Sequence, residues 1–266
     1  MPAASRARVA AAPLVPAVVR ALALLDRLAE RREPMSLAQL TSELALPKSS
    51  VHGLCNTLMS FGYLRRQHDG AFLIGPRVMG LAEAFVTGTD AAREFAALWL
   101  EAGAAPEETI VLSVLDGTDA LYVAVRNSAR PLGLLFNVGM RLPAYRSGSG
   151  KAMLAHQSPD ALRQRFADGL PVQLTRKGPR ELDTLIKELA LTRKRGYSID
   201  DETVREGVYS FGAPVFDASG QVVAGVAVCL NKALLGADRG ERHREAVLKV
   251  ARTLSLRLGA RAERQA

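Results

Sequence analysis

The residues of this 266-residue chain whose types and spacing could do chemistry fall in two stretches. The first runs Ser147-Gly148-Ser149-Gly150-Lys151, with His156 and Asp160 close behind. Serine, histidine and aspartate in quick succession invite a hydrolase reading. Ser149 and His156 are seven residues apart on what reads as one helix, so about two turns separate them, too far for a direct Ser–His bond. No G-x-S-x-G elbow occurs in the chain. Gly-Ser-Gly-Lys also falls short of a nucleotide-binding loop, because Ala152 follows Lys151 and no glycine stands five residues before Gly150. Two readings of the run remain open. Gly-Ser-Gly permits a tight turn, or small residues opening a helix leave backbone N–H groups around Ser147, Gly148 and Ser149 that can hold an anion.

The second stretch is Ser36 to Gly62, SLAQLTSELALPKSSVHGLCNTLMSFG. Leu37, Leu40 and Leu44 share one face of a short helix that Ser36 can cap. Leu46-Pro47 ends it, and proline suits the start of the next helix. There Val51, Leu54, Cys55 and Leu58 form the buried stripe, and the opposite face carries Lys48, Ser49, Ser50, His52, Gly53, Asn56 and Thr57. That face has no Asp or Glu, which ordinary solvated helices usually carry. Short hydrogen-bonding side chains without carboxylates suit a helix that enters a DNA major groove. Tyr63 to Arg66, the His68-Asp69-Gly70 turn and Ala71 to Ile74 read as a hairpin directly after it. Helix-turn-helix plus hairpin is a winged helix-turn-helix, with Arg65 and Arg66 near the phosphate backbone or simply solvated.

This segment resembles the N-terminal domain of IclR-type transcriptional regulators. LPKSSVHGLCNTLMSFGYLRR, then the hairpin and GPRVMGLAEAF, is similar to theirs in order and spacing. Those proteins commonly carry Arg where this chain has Gly53, which leaves Lys48, His52 or Asn56 to compensate. Later stretches extend the likeness over about residues 15–260. Leu142-Pro143, a small polar run and Gly150-Lys151-Ala152 resemble the effector-domain segment that passes the ligand pocket. Gly196-Tyr197, the acidic cluster Asp200-Asp201-Glu202, Gly207 and Ala213-Pro214 resemble the strands beyond it. The resemblance implies pocket roles for Asp200, Ser210, Ala227 and Cys229, with Ser147, Gly148 and Ser149 at the helix start. Ser210 stands where relatives often have Cys, and Ala227 and Cys229 where some have two serines.

The elements that must position these groups follow from periodicity. Val18, Val19, Leu22, Leu25 and Leu28 make a first helix over 16–32, expected to pack under the helix-turn-helix. Gly75-Pro76 opens a linker helix to about Val86, and Gly88, Thr89 and Asp90 mark a boundary. A helix over about 91–104 carries Trp99, the single tryptophan. Ile110 to Leu115 and Ala120 to Arg126 alternate around Asp116-Gly117, a hairpin signal. Helices are expected over 159–166, 180–195 and about 239–262, the last with a buried stripe Ala246, Val250, Leu254 and Leu258. Strands ending at Phe216 and starting at Val222 are expected at the centre of a sheet.

Composition bounds the rest. The chain can hold two domains, and no apolar run approaches the roughly 20 residues of a membrane span. The formal charge is +8, with 10 basic and 6 acidic residues in 1–89, so the excess fits phosphate attraction without being confined to the reading head. Cys55 and Cys229 are isolated and sit in apolar patterns, which points to a reducing cytoplasm. The four histidines, His52, His68, His156 and His243, lack metal-ligand spacing, so no metal or cofactor is expected.

The expected architecture is α+β. A disordered arm (1–15) precedes a winged helix-turn-helix domain (16–75), a linker helix (76–89) and an effector-binding and oligomerisation domain (90–266). By resemblance the last is GAF-like, α/β with an antiparallel sheet. The expected partners are double-stranded promoter DNA, a small organic or aromatic acid, and further copies in a homodimer or homotetramer. No membrane and no catalytic residue is expected. A hydrolase on the C-terminal domain and a scaffold that binds no DNA are the competing readings. Arg126, Arg130 and Arg146 are each open as charge partners for an acid.

Overall fold

Proline at the first turn starts the first helix, α1 (Pro16–Arg31), and Arg32 in the left-handed region ends it. The computed structural model describes residues 14–87, 90–103, 106–130, 133–170, 173–236 and 240–260. The expected N-terminal arm therefore lies almost wholly outside the described residues, as do Gly88 and Thr89. The chain divides into two compact units, Met1–Phe85 and Val86–Ala266.

In the first unit α2 (Leu37–Leu44) starts with a capping box, in which Ser36 accepts from the Gln39 amide at 3.3 Å and Gln39 accepts from the Ser36 amide at 2.8 Å. Ala45 in the left-handed region turns the chain into α3 (Lys48–Ser60). Strands β1 (Leu64–Arg66) and β2 (Phe72–Ile74) form the wing, with Arg65 opposite Leu73 and Arg66 opposite Phe72. The core is Leu24, Leu28, Met35, Leu40, Val51, Cys55, Leu64 and Phe72. Only the second half of α1 reaches it. Val18, Val19 and Leu22, expected to pack inward, are exposed. The helix outruns the core of its own unit, so its first two turns extend past the residues it packs on. Helix α4 (Arg77–Thr87) follows the wing.

The second unit opens with α5 (Asp90–Ala102) and the hairpin β3 (Thr109–Asp116) and β4 (Asp119–Arg126). After β5 (Arg141–Pro143) come α6 (Gly148–Leu154), α7 (Pro159–Arg165) and α8 (Leu182–Arg195). Strands β6 (Ser198–Asp201), β7 (Val208–Phe216) and β8 (Val222–Asn231) and helix α9 (Glu241–Arg257) complete it. The six strands are antiparallel throughout, in the order β5-β4-β3-β8-β7-β6. The centre is thus β3 beside β8, not the β7–β8 pair expected from the local pattern. Pairing of Thr109 with Cys229 joins strands 120 residues apart, which hairpin signals cannot reveal.

One face of the sheet packs on α5 and α9 through Phe95, Leu112, Phe211, Val226, Val247 and Leu254. The buried stripe of α9 is His243, Val247, Ala251, Leu254 and Ser255, offset from the one expected. Ala246 is exposed and Val250 half-buried. Polar His243 and Ser255 conceal the true stripe. Ser255 is satisfied inside, donating to Ala251 O at 2.7 Å and accepting from the Phe216 amide at 3.0 Å. On the other face α6 lies directly on the strands, with α7 and α8 behind it around Tyr145, Leu154, Phe166, Leu185 and Leu189. Two glycines allow this approach: a Cβ on Gly212 would overlap the Gly148 carbonyl, and one on Gly225 would overlap that of Ser149.

Candidate functional site

The first candidate surface is the outer face of α3. Val51 and Cys55 are buried, so Lys48, Ser49, His52, Gly53, Asn56 and Thr57 fall on the exposed side and Ser50 at its edge. Burial pushes the Cys55 thiol up to about 11, so it is a neutral core group there. Asn56 Nδ2 and His52 Nδ1 lie 3.4 Å apart, one turn along the helix. Nothing would meet a Cβ on Gly53. Arg65 and Arg66 are both exposed but not equivalent. Arg66 donates from Nε to Gly70 O at 3.1 Å and lies over the Phe72 ring, which holds it to the wing. Strand alternation puts Arg65 on the other face of the ribbon.

The second candidate site grows from strand register. Asp200 pairs with Ser210, Ser210 with Cys229, and Cys229 with Thr109, so these residues form one row across β6, β7, β8 and β3. The next row on the same face is Ser198, Gly212, Ala227 and Val111. Helix α6 covers this second row at Gly212, where Ser198 Oγ donates to Gly148 O at 2.5 Å. Ser149 takes a hydrogen bond from Ser113 Oγ at 2.7 Å. The start of α6 therefore meets the polar row. All seven expected effector residues, Ser147, Gly148, Ser149, Asp200, Ser210, Ala227 and Cys229, are buried, and register and close approach bring them together. Ser147 accepts from the Gly150 amide at 3.2 Å, so only the Gly148 and Ser149 amides remain without a partner inside the helix.

Several contributors are not marked in the sequence. Tyr122 is 3 % exposed and shares an apolar patch with Val111, Ala227 and Cys229, flanked by Leu134, Phe136 and Met140. Thr203 donates its amide to Asp200 Oδ1 at 2.8 Å, and its hydroxyl lies 2.6 Å from that oxygen and 2.7 Å from Arg146 O. Burial raises the Asp200 carboxyl above its usual range, against the bonds from Thr203 and the nearby Lys151 charge. Burial likewise raises the Tyr122 hydroxyl and the Cys229 thiol, and the Asp200 charge adds to both. The register shift between Leu112 and Ser113 hides Tyr122 from a simple alternation count.

The three arginines separate clearly. Arg126 is exposed. Arg130 pairs with Glu107 at 3.2 Å and Glu108 at 3.1 Å. Arg146 is fully buried, donating to Tyr145 Oη at 2.8 Å, Lys177 O at 2.8 Å and Thr203 O at 2.9 Å. It thus ties the start of α6 to two loops. His156 packs edge-on against Phe216, 5.1 Å between ring centres, and burial lowers its basicity. Ser149 accepts from Ser113 Oγ, and among the described residues no hydrogen bond joins Ser147 or Ser149 to His156.

Residues 17–68 match the model of the IclR helix-turn-helix domain, and residues 86–256 match that of the bacterial transcriptional regulator IclR C-terminal domain. The Pca regulon regulatory protein of Pseudomonas putida is 27 % identical over 213 residues, covering 79 % of this chain and 72 % of that one. The crystal structure of the repressor BlcR of Agrobacterium tumefaciens is 35 % identical, with 92 % of this chain and 97 % of that chain covered and a TM-score of 0.58. An IclR homologue from Microbacterium hydrocarbonoxydans, solved with 4-hydroxybenzoate, shares the fold at 23 % identity and a TM-score of 0.74, covering 90 % and 99 %. These relatives are transcriptional regulators or their homologues, and none points to catalysis. Among the described residues no helix is long and apolar enough to cross a membrane.

Proposed function

Because this chain belongs to the IclR family of bacterial transcriptional regulators, whose members bind DNA in response to an effector, we propose the following assignment of parts. Lys48, Ser49, Ser50, His52 and Asn56 meet the major groove, and Arg65 and Arg66 meet the flanking phosphates. The effector is a small organic acid, aromatic by preference, held beside Asp200, Ser210 and Cys229 at the start of α6.

The observation that carries the effector reading is the polar row itself. Buried Asp200, Ser210 and Cys229 lie in one row whose Ser210 hydroxyl stands against Gly148 at the start of α6, while Tyr122, Phe136 and Met140 offer apolar surface alongside. Buried sites with a few polar groups set in apolar walls are the usual form of small-molecule pockets. The 4-hydroxybenzoate complex of the Microbacterium homologue supports an aromatic carboxylate as the first compound to try.

The DNA reading rests on an exposed helix face free of carboxylates. Dimers multiply weak half-site affinity, and Val15, Val18, Val19 and Leu22 line one exposed apolar stripe of α1 that a second copy would cover. The assembly is a homodimer or a homotetramer. An effector acts by binding one arrangement better than another, since equal affinity shifts nothing.

A mobility-shift assay on the gene's own upstream DNA at low salt tests both halves. A specific complex whose affinity changes with 4-hydroxybenzoate or another member of a carboxylate panel is the expected result. No complex with or without the panel would sink the DNA assignment. A silent panel beside a response to a neutral or cationic compound would sink the acid.

A further inference from the structure

The sheet of the second unit has a cleft on the face away from α6. It lies between α5 and α9, with a volume of about 730 Å³. Its floor is Ile110 and Val228, cross-strand partners in the central β3–β8 pair, and its walls include Leu98 and Trp99 of α5 and Val250 of α9. A cleft of this size falls in the range that holds a small molecule. None of its lining residues belongs to the Asp200–Ser210–Cys229 row.

Two features of the lining identify what it lacks. The indole Nε1 of Trp99 is buried and has no hydrogen-bond acceptor among the described residues. A buried indole N–H normally has one. The second is charge. Arg257 is held by Glu101 at 2.5 Å and by Glu94 at 3.8 Å, and Arg242 lies 3.8 Å from Glu107. Lys249, which also lines the cleft, has no carboxylate partner among the described residues. The cleft is therefore short of one acceptor; its three carboxylates Glu101, Glu107 and Glu108 each face an arginine, and Lys249 is the lining cation left without one of them among the described residues.

We infer that the α5–α9 cleft is a second small-molecule site, which binds an amphipathic acid: a flat apolar body carrying one anionic group. The body lies on Ile110 and Val228 beside Trp99, and the anion faces Lys249. The site is independent of the effector pocket proposed above, so either assignment can fail alone.

The probe is 1-anilinonaphthalene-8-sulfonate, an aromatic body with one sulfonate, added to the full-length protein. Trp99 is the only tryptophan, so its quenching with matching sensitised dye emission reports occupancy next to it. The expected result is saturation at one dye per chain. Ala246→Phe narrows the cleft at an exposed helix position, and Ala246→Glu adds charge there. Both are expected to weaken dye binding at least tenfold with unchanged circular dichroism, and Lys249→Glu to weaken it several-fold. Ala227→Leu, a change on the opposite face of the sheet, should leave it intact. Dye binding without Trp99 quenching would overturn the proposal, as would binding that survives both Ala246 variants. Loss in Ala227→Leu alone would place the dye in the other pocket and overturn it too. Exclusion of the dye at concentrations where sedimentation shows self-association, with uptake only by the monomer, would assign the cleft to a second copy instead.

Discussion

Gly148 at the start of α6 and Gly212 in β7 meet backbone to backbone, with the Ser198 hydroxyl alongside donating to Gly148 O. This contact sets α6 at the height that brings Ser149 to Ser113 and leaves the polar row at the helix start. Gly212→Ala forces the helix outward. Overpacking of this kind costs roughly 1–3 kcal/mol, which for a chain of this size lowers the melting temperature by about 3–10 °C. Thermal melts followed by circular dichroism check it, and an unchanged melt would show that the helix can move without penalty.

Gly53 leaves open space on the reading face of α3. Replacing a glycine inside a helix gains about 0.5–1 kcal/mol, and a guanidinium there adds one DNA contact. Gly53→Arg is expected to raise both the melting temperature and the affinity for DNA, with the salt dependence steepened by about one ion. Anisotropy titrations at several salt concentrations measure it. An unchanged slope would mean that this helix face does not lie on the duplex.

Arg65 and Arg66 should separate. Arg66 braces the wing turn through Gly70 O and Phe72, whereas Arg65 is exposed on the other face. Arg65→Ala is expected to lower the salt slope by about one with no change in stability. Arg66→Ala is expected to increase amide exchange in 67–71 as well. Equal behaviour of the two variants in both assays argues against this division.

Ala227 is 1 % exposed, between Gly212 and Val111. Ala227→Leu adds bulk beside the polar row. It should abolish the response of DNA affinity to the effector, read as equal affinity with and without the compound. Retained response in a folded variant would move the effector elsewhere.

Asp200 and Glu202 respond to pH in opposite senses. Burial raises the Asp200 carboxyl in the folded protein, so folding favours its protonated form and its ionisation opposes stability as pH rises through the carboxylate range. A carboxylate effector beside it should bind more tightly on the acid side, and Asp200→Asn should flatten that profile in calorimetric titrations. Glu202 is the reverse case. Bonds from Lys177 and Lys232 hold it down to about 2, below its ordinary 4.5. Its stabilisation is fully present above the ordinary value and is lost as pH falls through the folded one. Glu202→Gln should therefore reduce stability at neutral pH and make little difference at pH 2.

Local chemistry made the first unit legible. Its helix ends, the cap at Ser36, the break at Leu46-Pro47 and the hairpin turn are each written in adjacent residues, and its core follows from stripes three and four apart. Charge on α3 was equally plain. What the stripes could not tell was where α1 runs out of partner. The same limit hid the α9 stripe, because His243 and Ser255 are buried only through neighbours from distant strands.

The sequence by itself therefore determined the element types, the acid-free reading face and, through resemblance, the residues worth watching in the second unit. Tertiary structure alone decided that β3 joins β8, that Asp200, Ser210 and Cys229 stand in one row, and that Tyr122 and Thr203 join them. It also decided which of the three arginines is buried. The physical reason is range. Caps, turns and helical stripes are satisfied within a few residues, whereas strand register and a helix seated on two glycines depend on groups far apart in the chain.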